Sequence, residues 1–215
     1  MIEFPTLYAL SRRAFVAVLA ACAILAASPS RAADESALVF AQKVGDTAIT
    51  DLTAPGITDS ARVKRMRQLL VNIFDAEAVG RFVLGPYARQ ASPEEFKEFL
   101  KLYEVYVAHN YAGLFKRYNG QKVEFTREQP AGNGQIVVNG VIRQVSGPDI
   151  STELRLHKVG DTYKAIDLRI EGVSMPLTHR KQFASVIAQR GGKVSGLLDA
   201  LRGAIARFEK ETPSE

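Results

Sequence analysis

Apolar residues recur along this chain at two periods, first that of a helix and then that of a strand. Between residues 35 and 118 they fall three or four positions apart, which predicts amphipathic helices. From Gln121 to Val173 apolar and polar residues alternate, which predicts strands with one buried face. Helical spacing returns from Thr178 onward. This order of helices, strands and helices predicts the α+β class.

Capping residues and helix breakers set the limits of the predicted helices. Ser92 is followed by a proline and two glutamates, which is the order of a capping box with proline at the first helical position. Asp59 and Asp75 are the expected N-caps of two earlier helices. The predicted helices cover residues 35–53, the segment from Asp59 to Ile73, residues 76–84, residues 93–118, residues 178–189 and residues 194–210.

Four alternating segments joined by short turns predict an antiparallel meander. They cover residues 121–129, 135–145, 150–158 and 162–173. Such a sheet buries one face and requires helices to cover it. The fold expected is therefore a four-stranded antiparallel meander packed against N- and C-terminal helices, in a single domain over residues 33–215.

Residues 1–32 have the layout of a cleaved secretory signal. Arg12 and Arg13 precede an apolar run from Ala14 to Ala27, which is shorter than the roughly 20 residues that a membrane span needs. Ser30 and Ala32 are the small residues expected before a cleavage site after Ala32. The chain is thus expected to be exported to the periplasm as a soluble protein.

Two further features of this leader leave the export route and the mature start open. The segment 11–15, with its paired arginines, resembles a twin-arginine export motif. The segment Leu19-Ala20-Ala21-Cys22 resembles a lipobox, although apolar residues follow Cys22 where a polar tether is expected. Both alternatives keep the expectation of export.

Charge and motif content exclude several classes of function. Lysine and arginine number 28 against 23 aspartates and glutamates, a mild net charge of +5 without the concentrated basic stripe of a nucleic-acid binder. The histidines 109, 157 and 179 lack metal-ligand spacing and stand beside Lys, Arg or Asn on a predicted surface. No nucleophile elbow, phosphate loop or dinucleotide motif occurs. Neither a metal nor a cofactor is therefore expected.

The tyrosines support two interpretations. Five of the seven lie between residues 87 and 118, and they either form a cavity wall or fill the core between helices and sheet. If a carboxylate met a tyrosine in a cone-shaped pocket, acid–base chemistry on a small apolar substrate would be the alternative function. The candidates are Asp75, Asp167, Tyr103 and Tyr106. The simpler interpretation is that Asp75 caps a helix, Asp167 lies on the solvent face of a strand and the tyrosines pack.

Short motifs in a fixed order relate the chain to a known family. They are Phe74-Asp75, Val83-Leu84-Gly85, residues 91–96, Phe99, Tyr111, Tyr118-Asn119-Gly120, residues 163–167, Glu171-Gly172-Val173-Ser174, Arg180, Gln182-Phe183 and Gly191-Gly192. By their order and spacing the chain resembles the MlaC-type family of periplasmic phospholipid-binding, toluene-tolerance proteins. Tyr163 and Ile166 stand where that family usually has Trp and Tyr. With the charged N-terminal half and the missing tryptophan, this is more similar to the subgroup associated with hopanoid producers.

The resemblance implies a lipid carrier without catalytic residues or a metal. Acyl chains of a phospholipid, or of a hopanoid-type lipid, would lie in an apolar cavity between sheet and helices. The implied partners are an inner-membrane MCE-type ABC transport complex and an outer-membrane lipoprotein complex. An adaptor that docks to such a complex with a collapsed core is a third interpretation. The residues expected to line the cavity are Ile73, Val79, Phe82, Phe99, Tyr103, Tyr106, Val138, Leu154, Leu168, Val173 and Met175.

Overall fold

The protein consists of six α-helices and an antiparallel sheet within residues 35–211, the part of the chain that the computed structural model describes. The expected signal peptide and the lipobox at Cys22 lie outside these residues. The helices are α1 (Ala37–Leu52), α2 (Asp59–Ile73), α3 (Ala76–Leu84), α4 (Pro93–Ala112), α5 (Met175–Gln189) and α6 (Val194–Glu211), with 3-10 turns at Gly85–Arg89 and Gly113–Arg117. Within residues 35–211, no helix combines the length and the apolar character that a membrane span requires.

The sheet is a meander in which each strand pairs with the next one along the chain. Its strands are β1 (Lys122–Pro130), β2 (Gln135–Arg143), β3 (Ile150–Val159), β4 (Thr162–Ile170) and β5 (Val173–Ser174). All four neighbouring pairs are antiparallel. The predicted α+β class and the predicted four-stranded meander are thus confirmed, and β5 is an addition.

A tight turn explains why the last long strand is shorter than predicted. Glu171 and Gly172 both adopt left-handed backbone conformations, with φ of 51° and 76°. This turn reverses the chain, so that Val173 pairs back with Ile170 of β4 and does not extend it. The prediction that one strand runs from residue 162 to residue 173 is therefore wrong.

Two bulges change which side chains share a face of the sheet. Leu156 pairs with Ala165 but the neighbouring Arg155 pairs with Asp167, so Ile166 is an extra residue in β4. A similar shift makes Thr126 the extra residue in β1. Because a bulge shifts the alternation by one residue, Ala165 and Leu168 contribute to the same apolar cluster although they are three positions apart.

Two of the three helix caps that the sequence indicates are present, and α5 begins at Met175, capped by Ser174, and not at the predicted residue 178. Ser92 and Glu95 form the predicted capping box, and the Asp75 carboxylate accepts a hydrogen bond from the Ala78 amide. One cap differs by a residue, since the Thr58 hydroxyl caps α2 and Asp59 is its first helical residue. Helix α4 ends at Ala112 and not near Tyr118, because the chain continues from Gly113 as a 3-10 turn.

Three apolar clusters form the core. The largest joins α3, α4, α5 and α6, and it includes Val83, Phe99 and Ile187. The second packs α1 against the sheet through Ala41, Val138 and other buried residues. The third joins α1, α2 and α4. Each cluster contributes residues to the border of one interior space, which these packed layers leave open.

Candidate functional site

An apolar cavity of about 520 Å³ lies between the sheet and the helices. Helix α1 and helix α2 form one side of its wall, and α4 with the following 3-10 turn forms another. Strands β1 to β4, the first turn of α3 and the start of α5 complete the wall. Most of the side chains on this wall are aliphatic or aromatic, so the space suits an apolar ligand.

The cavity reaches the surface beside an exposed apolar residue in the 3-10 turn that follows α4. Leu114 belongs to the wall and is 60% exposed. We call this region the mouth. Arg117, in the same turn, is a polar wall residue that is also exposed, and Gln144 is a half-buried polar wall residue. A ligand that enters here would place its apolar part inside and its polar part towards water.

The structure brings together six of the eleven residues that the sequence predicts for the lining. These six come from the sheet and from four different helices, yet all contribute to one wall: Ile73, Val79, Tyr103, Leu154, Leu168 and Met175. Their contact with a lipid remains a prediction. Alternation in the strands predicts the lining residues of the sheet, and helical spacing predicts most of those on the helices.

Three of the remaining five are core residues and do not line the cavity. The Phe99 ring stacks on Tyr103 at 5.4 Å and meets the Phe183 ring edge-on, so it lies behind the wall. Tyr106 packs against Phe183 in the same helical cluster. Val138 is fully buried in the cluster between α1 and the sheet. The spacing predicts correctly that these residues face inward. A neighbouring helix, however, fills the space in which the prediction places ligand.

The other two predicted lining residues lie at the surface. Phe82 is 43% exposed, and the Arg180 guanidinium lies 5.1 Å from its ring centre. Val173 is 60% exposed because the tight turn before it carries it away from the inner face of β4. The prediction that Phe82 and Val173 line the cavity is therefore wrong.

Helix α1 is the part of the wall that sequence reasoning missed. Val44, Gly45, Ala48 and Ile49 line the cavity, and Gly45 lets the helix approach β1 closely. A Cβ atom at Gly45 would lie 3.1 Å from a methyl of Val123. The apolar stripe of this helix was visible in the sequence, but a stripe does not indicate whether it faces side chains or an open space.

His179 is buried on the cavity wall, which corrects the expectation that it lies at the surface. It is 5% exposed, and its ring stacks on Phe183. Its Nδ1 lies 2.8 Å from the Tyr103 hydroxyl and its Nε2 lies 3.1 Å from the Tyr111 hydroxyl. The neighbours Thr178 and Arg180 suggested a polar surface, but helical geometry turns the residue between them inward.

All three groups are neutral at pH 7, and burial moves each pKa further from 7. Desolvation lowers the pKa of His179 to about 4. Desolvation, with a smaller effect of Tyr106, raises the pKa of Tyr111 to about 12. Burial also raises the pKa of Tyr103 far above its ordinary value, with smaller effects of Tyr111, Tyr106 and Asp167. The wall therefore offers hydrogen bonds to a ligand but no charge at this place.

The two other histidines contact side chains of the fold and do not line the cavity. His157 Nε2 lies 3.0 Å from a carboxylate oxygen of Asp75. The His109 ring stacks on Phe208 at 5.2 Å. Among residues 35–211 no group of three His, Cys, Asp or Glu side chains is placed to hold a metal ion.

The carboxylates considered for acid–base chemistry do not lie on the cavity wall. Asp75 caps α3, as expected. Asp167 is buried, which corrects its expected place on a solvent face, since the Ser174 hydroxyl and the Arg169 guanidinium both donate to it, at 2.9 and 3.0 Å. Asp167 lies on the opposite face of β4 from the wall residue Leu168, as alternation requires, and Ser174 and Arg169 cover it there. Tyr103 thus meets His179 on the wall and not a carboxylate.

Fold and site together define an α+β domain in which helices and a meander surround an apolar cavity with a mouth. The profile of the MlaC protein family matches residues 42–203, about three quarters of the chain. The chain belongs to this family.

Relatives and a solved structure agree with this assignment. The chain is 18% identical over 146 residues to the toluene tolerance protein ttg2D of Pseudomonas putida, covering 67% of this chain and 68% of that protein. It is 23% identical over 171 residues to the intermembrane phospholipid transport system binding protein MlaC of Haemophilus influenzae, covering 74% and 78%. A phospholipid-binding protein from Ralstonia solanacearum, solved in complex with a phospholipid, has a TM-score of 0.71 at 22% identity, covering 81% of this chain and 99% of that one. This likeness shows that the two chains share a fold.

Proposed function

We propose that this protein is a periplasmic lipid carrier that holds the acyl chains of a phospholipid, or of a hopanoid-type lipid, in its cavity. The observation that carries the proposal is the apolar space of about 520 Å³ inside the domain. The names of the relatives, which refer to phospholipid binding and intermembrane transport, support it. In this proposal the carrier is exported by its leader, residues 1–32, and exchanges lipid with an inner-membrane MCE-type ABC complex and an outer-membrane lipoprotein complex.

The physical need for such a carrier follows from the cost of exposing hydrocarbon. Each methylene in water costs about 0.8 kcal/mol, so one chain of about 16 carbons costs about 13 kcal/mol. A protein that replaces most of the apolar contacts of the bilayer removes this barrier. The protein must still release the lipid. This requirement favours apolar contacts, which have no fixed geometry, over a large number of hydrogen bonds.

The volume of the cavity matches about one acyl chain. At about 30 Å³ for a group the size of a water molecule, which is close to a methylene, about 17 groups fill this space. A second chain would require the helices of the wall to move apart or would lie along the mouth. Lipid loading is therefore expected to separate α1 and α2 from the sheet.

A single introduced tryptophan tests where the lipid lies, because its large ring fills space that an acyl chain would otherwise occupy. Leu168→Trp would fill part of the cavity, whereas Val173→Trp adds the same ring at the surface. Both purified variants are loaded with phospholipid vesicles, and the bound phosphate per protein is measured. We expect Leu168→Trp to reduce the bound lipid severalfold and Val173→Trp to leave it unchanged. Unchanged loading of a folded Leu168→Trp variant would contradict the proposal.

A further inference from the structure

Two tyrosines and a histidine on the cavity wall form a small hydrogen-bonded network. His179 on α5 lies between Tyr103 and Tyr111 on α4, with N···O distances of 2.8 and 3.1 Å. All three residues line the cavity. The rings of Phe183 and Tyr106 pack around the imidazole and hold it in place.

One hydroxyl hydrogen of this chain is left over in either tautomer of the ring. A neutral imidazole has one N–H, and each tyrosine has one O–H, which makes three hydrogens for two hydrogen bonds. If Nε2 carries the hydrogen, it donates to Tyr111, Tyr103 donates to Nδ1, and the Tyr111 O–H is free. If Nδ1 carries it, the roles are exchanged and the Tyr103 O–H is free.

The free hydroxyl hydrogen has no acceptor among the residues that the structure describes. Neither tyrosine hydroxyl makes another hydrogen bond within residues 35–211. Thr152 and Glu104 have acceptor oxygens on the wall, but neither forms a hydrogen bond with a tyrosine hydroxyl; Thr152 contacts the Arg169 carbonyl and Glu104 contacts Arg67. A donor on an apolar wall that has no acceptor is unfavourable once a ligand excludes water, so a ligand that supplies an oxygen here is favoured over one that does not.

We propose that Tyr103, His179 and Tyr111 form a polar subsite of the cavity that binds one oxygen acceptor of the ligand, either an acyl ester carbonyl or a hydroxyl on the hydrocarbon skeleton. This inference rests on the proposed lipid-binding function. It adds that the cavity distinguishes lipids by one oxygen on an otherwise apolar molecule, because most of the other wall residues offer only apolar contact.

A comparison of matched lipids tests this subsite. The probes are phosphatidylglycerol with ester-linked and with ether-linked palmitoyl-length chains, and phosphatidylglycerol with hydroxystearoyl and with stearoyl chains. Each pair competes for the lipid-free protein, and the bound ratio is measured by mass spectrometry. One hydrogen bond predicts a preference of about fivefold for the oxygen-bearing member of one pair.

Single substitutions assign that preference to the network. Tyr111→Phe and Tyr103→Phe are both made, because the free hydrogen can reside on either tyrosine. When the tyrosine that carries it is removed, the nearest remaining donor is about 3 Å further back, on the imidazole. We expect at least one of the two variants to reduce the preference to within twofold. Since only a ratio within one variant is compared, a general loss of affinity does not affect the result.

Tyr106→Phe is the matched control. Tyr106 lies on the same helix and its ring contacts His179 at 6.0 Å, but it is not on the cavity wall. It should keep the preference of the unmodified protein. Loss of the ester preference identifies the carbonyl as the acceptor, and loss of the hydroxystearoyl preference identifies the hydroxyl.

Two results would overturn the subsite. One is a ratio within twofold for both lipid pairs in the unmodified protein, which would show that the free hydrogen meets only water. The other is a preference that both tyrosine variants retain. Failure of every probe to bind would instead contradict the proposed lipid-carrying function, so the two failures are distinguishable.

Discussion

Acidification should destabilise the lipid-free protein through His179. The ring is buried between α4 and α5, and burial lowers the pKa of His179 from 6.5 to about 4. In the unfolded chain the same ring has its ordinary pKa. Between these two values the unfolded state binds a proton that the folded state does not, so the free energy of unfolding decreases as the pH falls.

The size of this effect follows from the interval between the two pKa values. At about 1.4 kcal/mol for each pH unit, the interval from 6.5 to about 4 amounts to about 3 kcal/mol. The stabilisation is fully present above pH 6.5 and is lost as the pH falls towards about 4. Water in the cavity beside the ring would reduce the figure. This is a substantial part of the 5–15 kcal/mol by which domains are ordinarily stable.

Urea unfolding at several pH values measures this contribution by difference. His179→Gln keeps one donor and one acceptor but does not titrate, so its free energy of unfolding should depend less on pH in this interval. The difference between the two proteins removes the contributions of all carboxylates. His109→Gln is the comparison: burial also lowers the pKa of His109, but the ring is only partly buried, so its effect on the pH dependence should be in the same direction and smaller.

Equal pH dependence of the unmodified protein and of His179→Gln would refute the reasoning. It would mean that the ring is hydrated in solution or that a nearby group compensates its charge. A larger effect of His109→Gln than of His179→Gln would contradict the assignment of the buried ring.

Three further predictions concern packing and capping. Gly140→Ala should destabilise strongly, since its Cβ would lie 2.5 Å from the Glu124 carbonyl oxygen, whereas Gly113→Ala should be neutral or slightly stabilising because its Cβ meets nothing within 4 Å. Phe99→Ala should reduce the free energy of unfolding by about 3–5 kcal/mol, because the ring is fully buried. Asp75→Ala should cost about 1–2 kcal/mol through loss of the α3 cap. Urea unfolding checks all three.

Each of these predictions has a contradicting result. A Gly140→Ala protein as stable as Gly113→Ala would show that β1 and β2 are further apart than described. A Phe99→Ala cost below about 1 kcal/mol would place Phe99 on the cavity wall after all. An Asp75→Ala protein of unchanged stability would mean that the cap is not formed.

The helices and strands could be predicted because their signals are local. The capping box at Ser92 and the cap at Asp75 depend only on neighbouring residues, and both are confirmed. Short turns between alternating segments leave few alternatives to a meander. The turn at Glu171-Gly172 was not predicted, because its left-handed conformation falls on a non-glycine residue at its first position.

The site could be predicted only in part, because its composition depends on packing between distant segments. Phe99 and Tyr103 lie one helical turn apart on α4, yet only Tyr103 reaches the cavity, since Phe183 of α5 covers Phe99. Asp167 is buried because the turn after β4 brings Ser174 back beside it, which the spacing of apolar residues does not indicate. An unfilled space is a property of the whole arrangement and leaves no mark in the spacing of apolar residues.

The central claim, that the cavity holds lipid chains, is tested most directly by native mass spectrometry of the protein purified from cells that produce it. We predict a species heavier than the protein alone by the mass of one lipid, which organic extraction releases and which Leu168→Trp diminishes. A preparation that is uniformly free of lipid, and that remains free after incubation with vesicles, would contradict it.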